Sequence, residues 1–404
     1  MKSFISNSIY PLFLFAAFCV VLPPLFKSLS LALLLLVVLV NFLCNRNKEC
    51  FNFNLSLKNP LLWLLIFYLL HCIGMFYTSD INEGLKDLSI KLPLLLFSLV
   101  VFCLPSKMFT QEKLWKVFLS FAFGLFVMQV YSLGNGLVQA FAGDEFNIKE
   151  ILYTRLGKKT HTTYFSLYTC FAFMMFYFMP FKKHFVLRLI AMSWLAIFNV
   201  LLSSRIGILA MVFICVVILF NELLLKRQYI NVLYYLIVCV VFATSFFVVK
   251  EFNNRYANIV AKTQIETSKQ TKIVDSVSQR SFIYSNVAEI VKKSPVIGVG
   301  TGDVKGELED FYSQKGVDFG RYLNAHNQFV QTAIALGVIG LICFLVALFM
   351  LSYSFWTKES LILLLSIAIL GVFMMTESIL ERQQGVHFFA FYFVWLSAFA
   401  KEEK

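Results

Sequence analysis

"SVSQRSFIYSNVAEIVKKSPVIGVGTG" (276–302) is a polar, charged stretch in a chain that is otherwise mostly apolar, and that contrast decides the fold. Of 404 residues, 59% are hydrophobic and 14% charged, and mean hydropathy is +0.76. A soluble domain carries about a quarter charged residues, so this composition excludes one and indicates a polytopic membrane protein. The polar island runs from Lys250 to Phe329, between a long apolar block and a shorter one.

A helix that crosses about 30 Å of hydrocarbon needs roughly 17–25 apolar residues. Twelve such runs are expected, at 8–25, 28–44, 61–78, 89–104, 116–141, 163–180, 186–203, 206–225, 232–249, 328–353, 359–376 and 385–400. If they alternate, Lys2, Arg46, Lys48, Lys58, Lys107, Lys113, Lys182, Lys183, Lys226, Arg227, Lys358, Lys401 and Lys404 share one face, which the positive-inside rule makes cytoplasmic. Both termini then lie inside. The opposite face receives 79–88, 142–162, the turn Ser203–Arg205, the long loop and 377–384. The chain divides into 1–249 (nine spans), 250–327 (the outer loop) and 328–404 (three spans). On this reading the net charge of +12 is an orientation signal, and nothing resembles a nucleic-acid module. Met1–Leu25 reads as a retained first helix, because no small-residue cleavage site follows it. The nine cysteines all lie in or beside apolar runs, which leaves the loop without a disulfide or zinc framework.

Inside the loop, Ser278 suits the N-cap of a helix running to about Lys293, with Phe282, Ile283, Val287, Ile290 and Val291 on one face and Pro295 ending it. "GVGTG" (298–302) reads as a tight turn and Lys305–Gln314 as a second short helix. "GVGTG" is neither a phosphate-binding P-loop nor a dinucleotide fingerprint, and "ELED" (307–310) reads as a solvated helix face. No metal or cofactor motif occurs, so none of either is expected.

Three residues stand out chemically. Arg205, in "LLSSRIGILAMVF" (201–213), places a permanent cation between two apolar runs. It is either a snorkelling interfacial side chain or, with Ser203 and Ser204 beside it, an anion site. Arg280 lies near the start of the loop helix, either as an ordinary surface arginine or as a second anion ligand. His326, in "LNAHNQFVQ", sits at the mouth of an apolar helix, either as a cap or as a proton acceptor, since imidazoles titrate near neutrality. His71 and His387 fall within apolar runs and read as hydrogen-bonded bundle residues. His184 belongs to a basic turn. His161 stands with Arg155, Lys158 and Lys159 in "RLGKKTHTTYF" (155–165).

Taken together, "SSR" ending at Arg205, "SQRSFIYSNVAEIVKKSPVIGVGTG" and "NAHNQFVQTAIALGVIGL" resemble the O-antigen ligase and polymerase superfamily, most closely over 276–345. The resemblance implies an all-α integral membrane protein of about twelve spans, similar to GT-C glycosyltransferases, with one large periplasmic loop holding short helices. It also implies a metal-independent, inverting transfer of a glycan from undecaprenyl diphosphate to an acceptor hydroxyl such as lipid A-core, at the periplasmic face of the bacterial inner membrane. Arg205 and Arg280 would hold the donor diphosphate and His326 would be the catalytic residue. His161, Arg155 and Asn327 are carried as further candidate contacts. An O-antigen polymerase or a protein O-oligosaccharyltransferase shares these motifs. A lipid-linked glycan flippase, from another class, would show paired halves with broken helices in matching places.

Overall fold

The computed structural model describes residues 2–44, 56–102, 110–142, 146–152, 156, 160–180, 184–248, 276–316, 324–356 and 361–402. The described residues form helices and turns, with no strand among them. In chain order the helices are α1 (Lys2–Cys19), α2 (Pro24–Cys44), α3 (Pro60–Gly74), α4 (Ile81–Phe102), α5 (Gln111–Ala140), α6 (Thr162–Phe178), α7 (Phe185–Leu201), α8 (Arg205–Phe220, continued by a π-turn Asn221–Leu225) and α9 (Tyr229–Val248). They are followed by α10 (Ser276–Lys292), α11 (Val304–Gln314), α12 (Gln328–Trp356), α13 (Leu361–Met374) and α14 (Gln383–Glu402). Among the described residues, each of the twelve expected runs overlaps at least one of these helices. Among the described residues, six helices are long and apolar enough to cross a membrane, and three shorter apolar ones accompany them. The chain is a multi-pass membrane protein.

A helix that is apolar all round must be enclosed, and α6 and α14 meet that description. Nearly every described side chain of both is buried. They face each other through aromatic rings, such as Phe171 against Tyr392 edge-on at 4.3 Å between centroids. The other helices surround this pair and turn apolar side chains such as Leu29, Phe123, Val216 and Phe349 outward, where lipid would meet them.

One boundary differs from the sequence reading. The stretch "SDINEGLKDL" (79–88) was expected to be a connecting loop because it is polar, yet α4 already begins at Ile81. The reason is capping. Asp80 Oδ1 accepts from Glu83 N at 2.9 Å, and Asp303, from the long loop, accepts from Ser79 N at 2.7 Å and Asp80 N at 2.8 Å.

The glycine segment of the loop is bound into the bundle. α12 is broken at Gly337, whose φ of 61° and ψ of −161° are not helical. The break frees backbone groups that hydrocarbon cannot satisfy. The loop supplies their partners: Val299 N donates to Ile334 O (2.9 Å), Gly300 N to Ala335 O (3.0 Å), and Val338 N to Pro295 O (2.9 Å). A β-carbon at Gly337 would stand 2.3 Å from Val296 O, and one at Gly302 2.2 Å from Asp80 O. Backbone meets backbone at these points, so the glycines permit close approach rather than cradle a phosphate. The loop helices fall as expected, and α10 lies on the bundle with Ile283 and Ile290 buried. In "ELED", Glu309 and Asp310 are exposed and Glu307 pairs with Lys293.

Candidate active site

The Gln328 side chain joins the start of α12 to the turn before α14. Its Oε1 accepts from Leu380 N at 2.7 Å and its Nε2 donates to Thr332 Oγ1 at 3.2 Å. From the other side, Tyr284 Oη of α10 donates to Met375 O at 2.6 Å. Asn327 Oδ1 accepts from Phe329 N (2.9 Å) and Val330 N (3.1 Å), so Asn327 is the cap of α12. Asn327 Nδ2 also reaches Met375 O at 3.3 Å, which makes this candidate contact a bracket between α12 and residue 375.

With Asn327 capping the helix, His326 is left to project from the mouth. Its backbone has φ of 46°, a left-handed conformation uncommon outside glycine. Ser203, two residues before Arg205, is held similarly at φ 48°. His326 Nδ1 lies 3.6 Å from Glu377 Oε2, just beyond hydrogen-bond length. Glu377 is only 3% exposed. Burial pushes its carboxyl up, but His326 beside it, and then His161 and Arg280, more than offset that, so its pKa lies below the ordinary value. Burial is also the main reason the His161 imidazole is held below its ordinary value, with Arg382 and His326 adding to the effect and Glu377 opposing it. His161 keeps accessible surface although it lies deep in a recess, as a cavity-wall residue does.

The structure therefore gathers Arg280, His326 and His161 around a buried carboxylate. Arg205 opens α8 behind the Ser204 N-cap, whose Oγ accepts from Gly207 N at 3.4 Å. It stands at the same end of the bundle, because α6 starts and α7 ends there. Arg155 lies outside the described residues, as do 250–275 and 317–323 of the loop. Glu377 and Arg382 were not singled out from the sequence. The available signal was an acid set among apolar neighbours in "MMTESIL" (374–380).

Beside the cluster is a cavity of about 690 Å³, a size suited to a polar ligand headgroup. His161, Arg382, Asn324 and Lys305 line it together with Glu83, Lys86, Asp87 and Glu381. Each of three acids has a cationic partner: Glu83 pairs with Lys86 at 2.9 Å, while Asp87 and Glu381 (2.9 Å) share the buried Lys91. The Lys91 bridge also fixes the turn carrying Glu377 to α4. His71 and His387 behave as bundle residues. His71 Nδ1 lies 3.4 Å from Thr301 Oγ1 and 3.8 Å from Asp87 Oδ2, and His387 Nδ1 is 3.0 Å from Gln383 O.

The structure is thus a multi-pass helical bundle with cations and an imidazole–carboxylate pair gathered at one end. Residues 190–345 match the family described as O-antigen ligase, a match that supports a likeness to the O-antigen ligase superfamily over that stretch. A comparison with curated proteins finds no match. The matched stretch contains Arg205, Arg280 and His326. It begins after His161 and ends before Glu377 and Arg382.

Proposed function

We propose that the protein is an O-antigen ligase-like glycosyltransferase that moves a glycan from undecaprenyl diphosphate to an acceptor hydroxyl, such as that of lipid A-core, at the periplasmic face of the inner membrane. The observation that carries this reading is the 3.6 Å approach of His326 to buried Glu377, with Arg280 and His161 acting on the same carboxylate.

The donor's leaving group is already a diphosphate and needs no strong acid. Negative charge grows on it as the sugar–phosphate bond breaks, and the guanidiniums of Arg205 and Arg280 neutralise that charge without a metal. His326 takes the proton of the acceptor hydroxyl as it attacks the anomeric carbon from the opposite face, inverting it. Such a base contributes about 10²- to 10⁴-fold. Glu377 orients the imidazole and stabilises the imidazolium that forms, as a carboxylate behind a catalytic histidine does. The polyprenyl tail stays in lipid while the headgroup enters the cavity.

A strain lacking the gene tests the reading. Surface polysaccharide left on its lipid carrier is the expected result. Decoration with single repeats would indicate a polymerase, and unaltered surface glycan would refute transfer altogether.

A further inference from the structure

A second cavity, of about 1090 Å³, lies between α5 and α7, which both lean on α6. It is at the end of the bundle opposite the candidate active site, because it includes Met179 at the far end of α6 from His161. Its walls are Leu119, Phe123 and Phe126 of α5 and Leu187 and Ile190 of α7, with Phe176 behind. Phe123, Phe126, Leu187 and Ile190 are exposed, so the crevice opens sideways to the surrounding lipid.

Its two ends differ chemically. At the deep end Trp194 Nε1 donates to Gln129 Oε1 at 2.7 Å and Gln129 Nε2 donates to Thr169 Oγ1 at 3.1 Å, so the polar groups there already have partners. At the rim stand Lys116, His184 and Arg188, and none of the described lining residues is acidic. Lys116 pairs with Glu112 at 2.6 Å, outside the crevice lining. Arg188 meets neutral oxygens, Met179 O at 3.0 Å and Tyr235 Oη at 3.3 Å, and its Nε is buried without a partner. From Lys116 at the rim to Gln129 at the deep end the helix rises about 20 Å, which is half of a bilayer about 40–45 Å thick with its headgroups.

We infer that this crevice binds one acyl chain of an anionic phospholipid from the adjacent leaflet, with the phosphate of its headgroup at the Lys116–His184–Arg188 rim. The depth matches one leaflet, the walls suit a hydrocarbon chain, and the rim carries the complementary charge. The assignment uses none of the residues of the proposed transfer reaction and stands apart from it.

The test mixes purified full-length protein in detergent with phosphatidylglycerol or phosphatidylcholine and counts retained lipid by native mass spectrometry. Wild type is expected to keep one phosphatidylglycerol with at least a tenfold preference over phosphatidylcholine. Ala191→Trp, which fills the crevice, should lower that retention at least tenfold. K116Q/H184Q changes only exposed side chains, so its fold is safe, and it should reduce the preference while leaving lipid uptake. Equal retention of the two lipids by wild type, unchanged retention in Ala191→Trp, or a dimer appearing where lipid was expected would overturn the assignment.

Discussion

Glu377 and His326 meet across two separate parts of the chain, Oε2 to Nδ1 at 3.6 Å, because Gln328 and Tyr284 hold the turn before α14 against the mouth of α12. On this arrangement Glu377→Gln removes the charge behind the imidazole while keeping the shape. A fall in kcat of about 10²-fold is expected, with KM little changed, within the range that a positioned base contributes. Glu377→Asp should recover part of it. Steady-state kinetics on the three proteins checks this, and a purely structural role would instead appear as loss of folded protein.

Arg280→Lys and Arg205→Lys keep the charge and lose the planar fork. Each should lower kcat/KM by about tenfold or more, since a lysine presents a point charge to a diphosphate that a guanidinium grips with two N–H groups. Wild-type turnover in either variant would mean that the arginine only anchors the protein at the interface.

Gly337 has φ of 61°, and a β-carbon there would stand 2.3 Å from Val296 O. Gly337→Ala should cost about 1–3 kcal/mol through backbone strain and the broken seam between loop and helix. Thermal melting of the purified variant measures it. Gly371→Ala meets nothing within 4 Å and should melt like wild type.

Stability should fall on acidification. His161 is held below its ordinary 6.5 and Glu377 below its ordinary 4.5, so at each the unfolded chain binds its proton first. Stability then rises with pH wherever that difference persists. The His161 contribution is complete above about pH 6.5 and is lost as pH drops through its lower folded value. The Glu377 contribution is complete above about pH 4.5 and is lost below that. Melting curves from pH 3 to 8 should show Glu377→Gln flatter than wild type below about pH 4.5.

The runs of apolar residues were legible because hydrocarbon imposes length and composition on a span, and six of the described helices they fall on are long and apolar enough to cross. α10 and α11 were legible from Ser278, Pro295 and the spacing of Ile283 and Ile290. The start of α4 was not, because its stabilising carboxylate, Asp303, comes from 223 residues away. The break at Gly337 was hidden because "ALGVIG" reads as one apolar helix and its compensating hydrogen bonds come from 295–300. His326, Arg280 and Arg205 could be named from residue type and order. Glu377 could not be paired with His326, because "ESILERQQ" reads as a solvated loop and only the fold buries its first residue.

The most direct measurement of the central claim uses purified protein in lipid, a polyprenyl-diphosphate-linked glycan and a lipid acceptor, with product followed over time. His326→Ala should abolish transfer, by about 10²-fold or more, while its melting temperature stays near wild type. Transfer at the wild-type rate by folded His326→Ala would contradict the account.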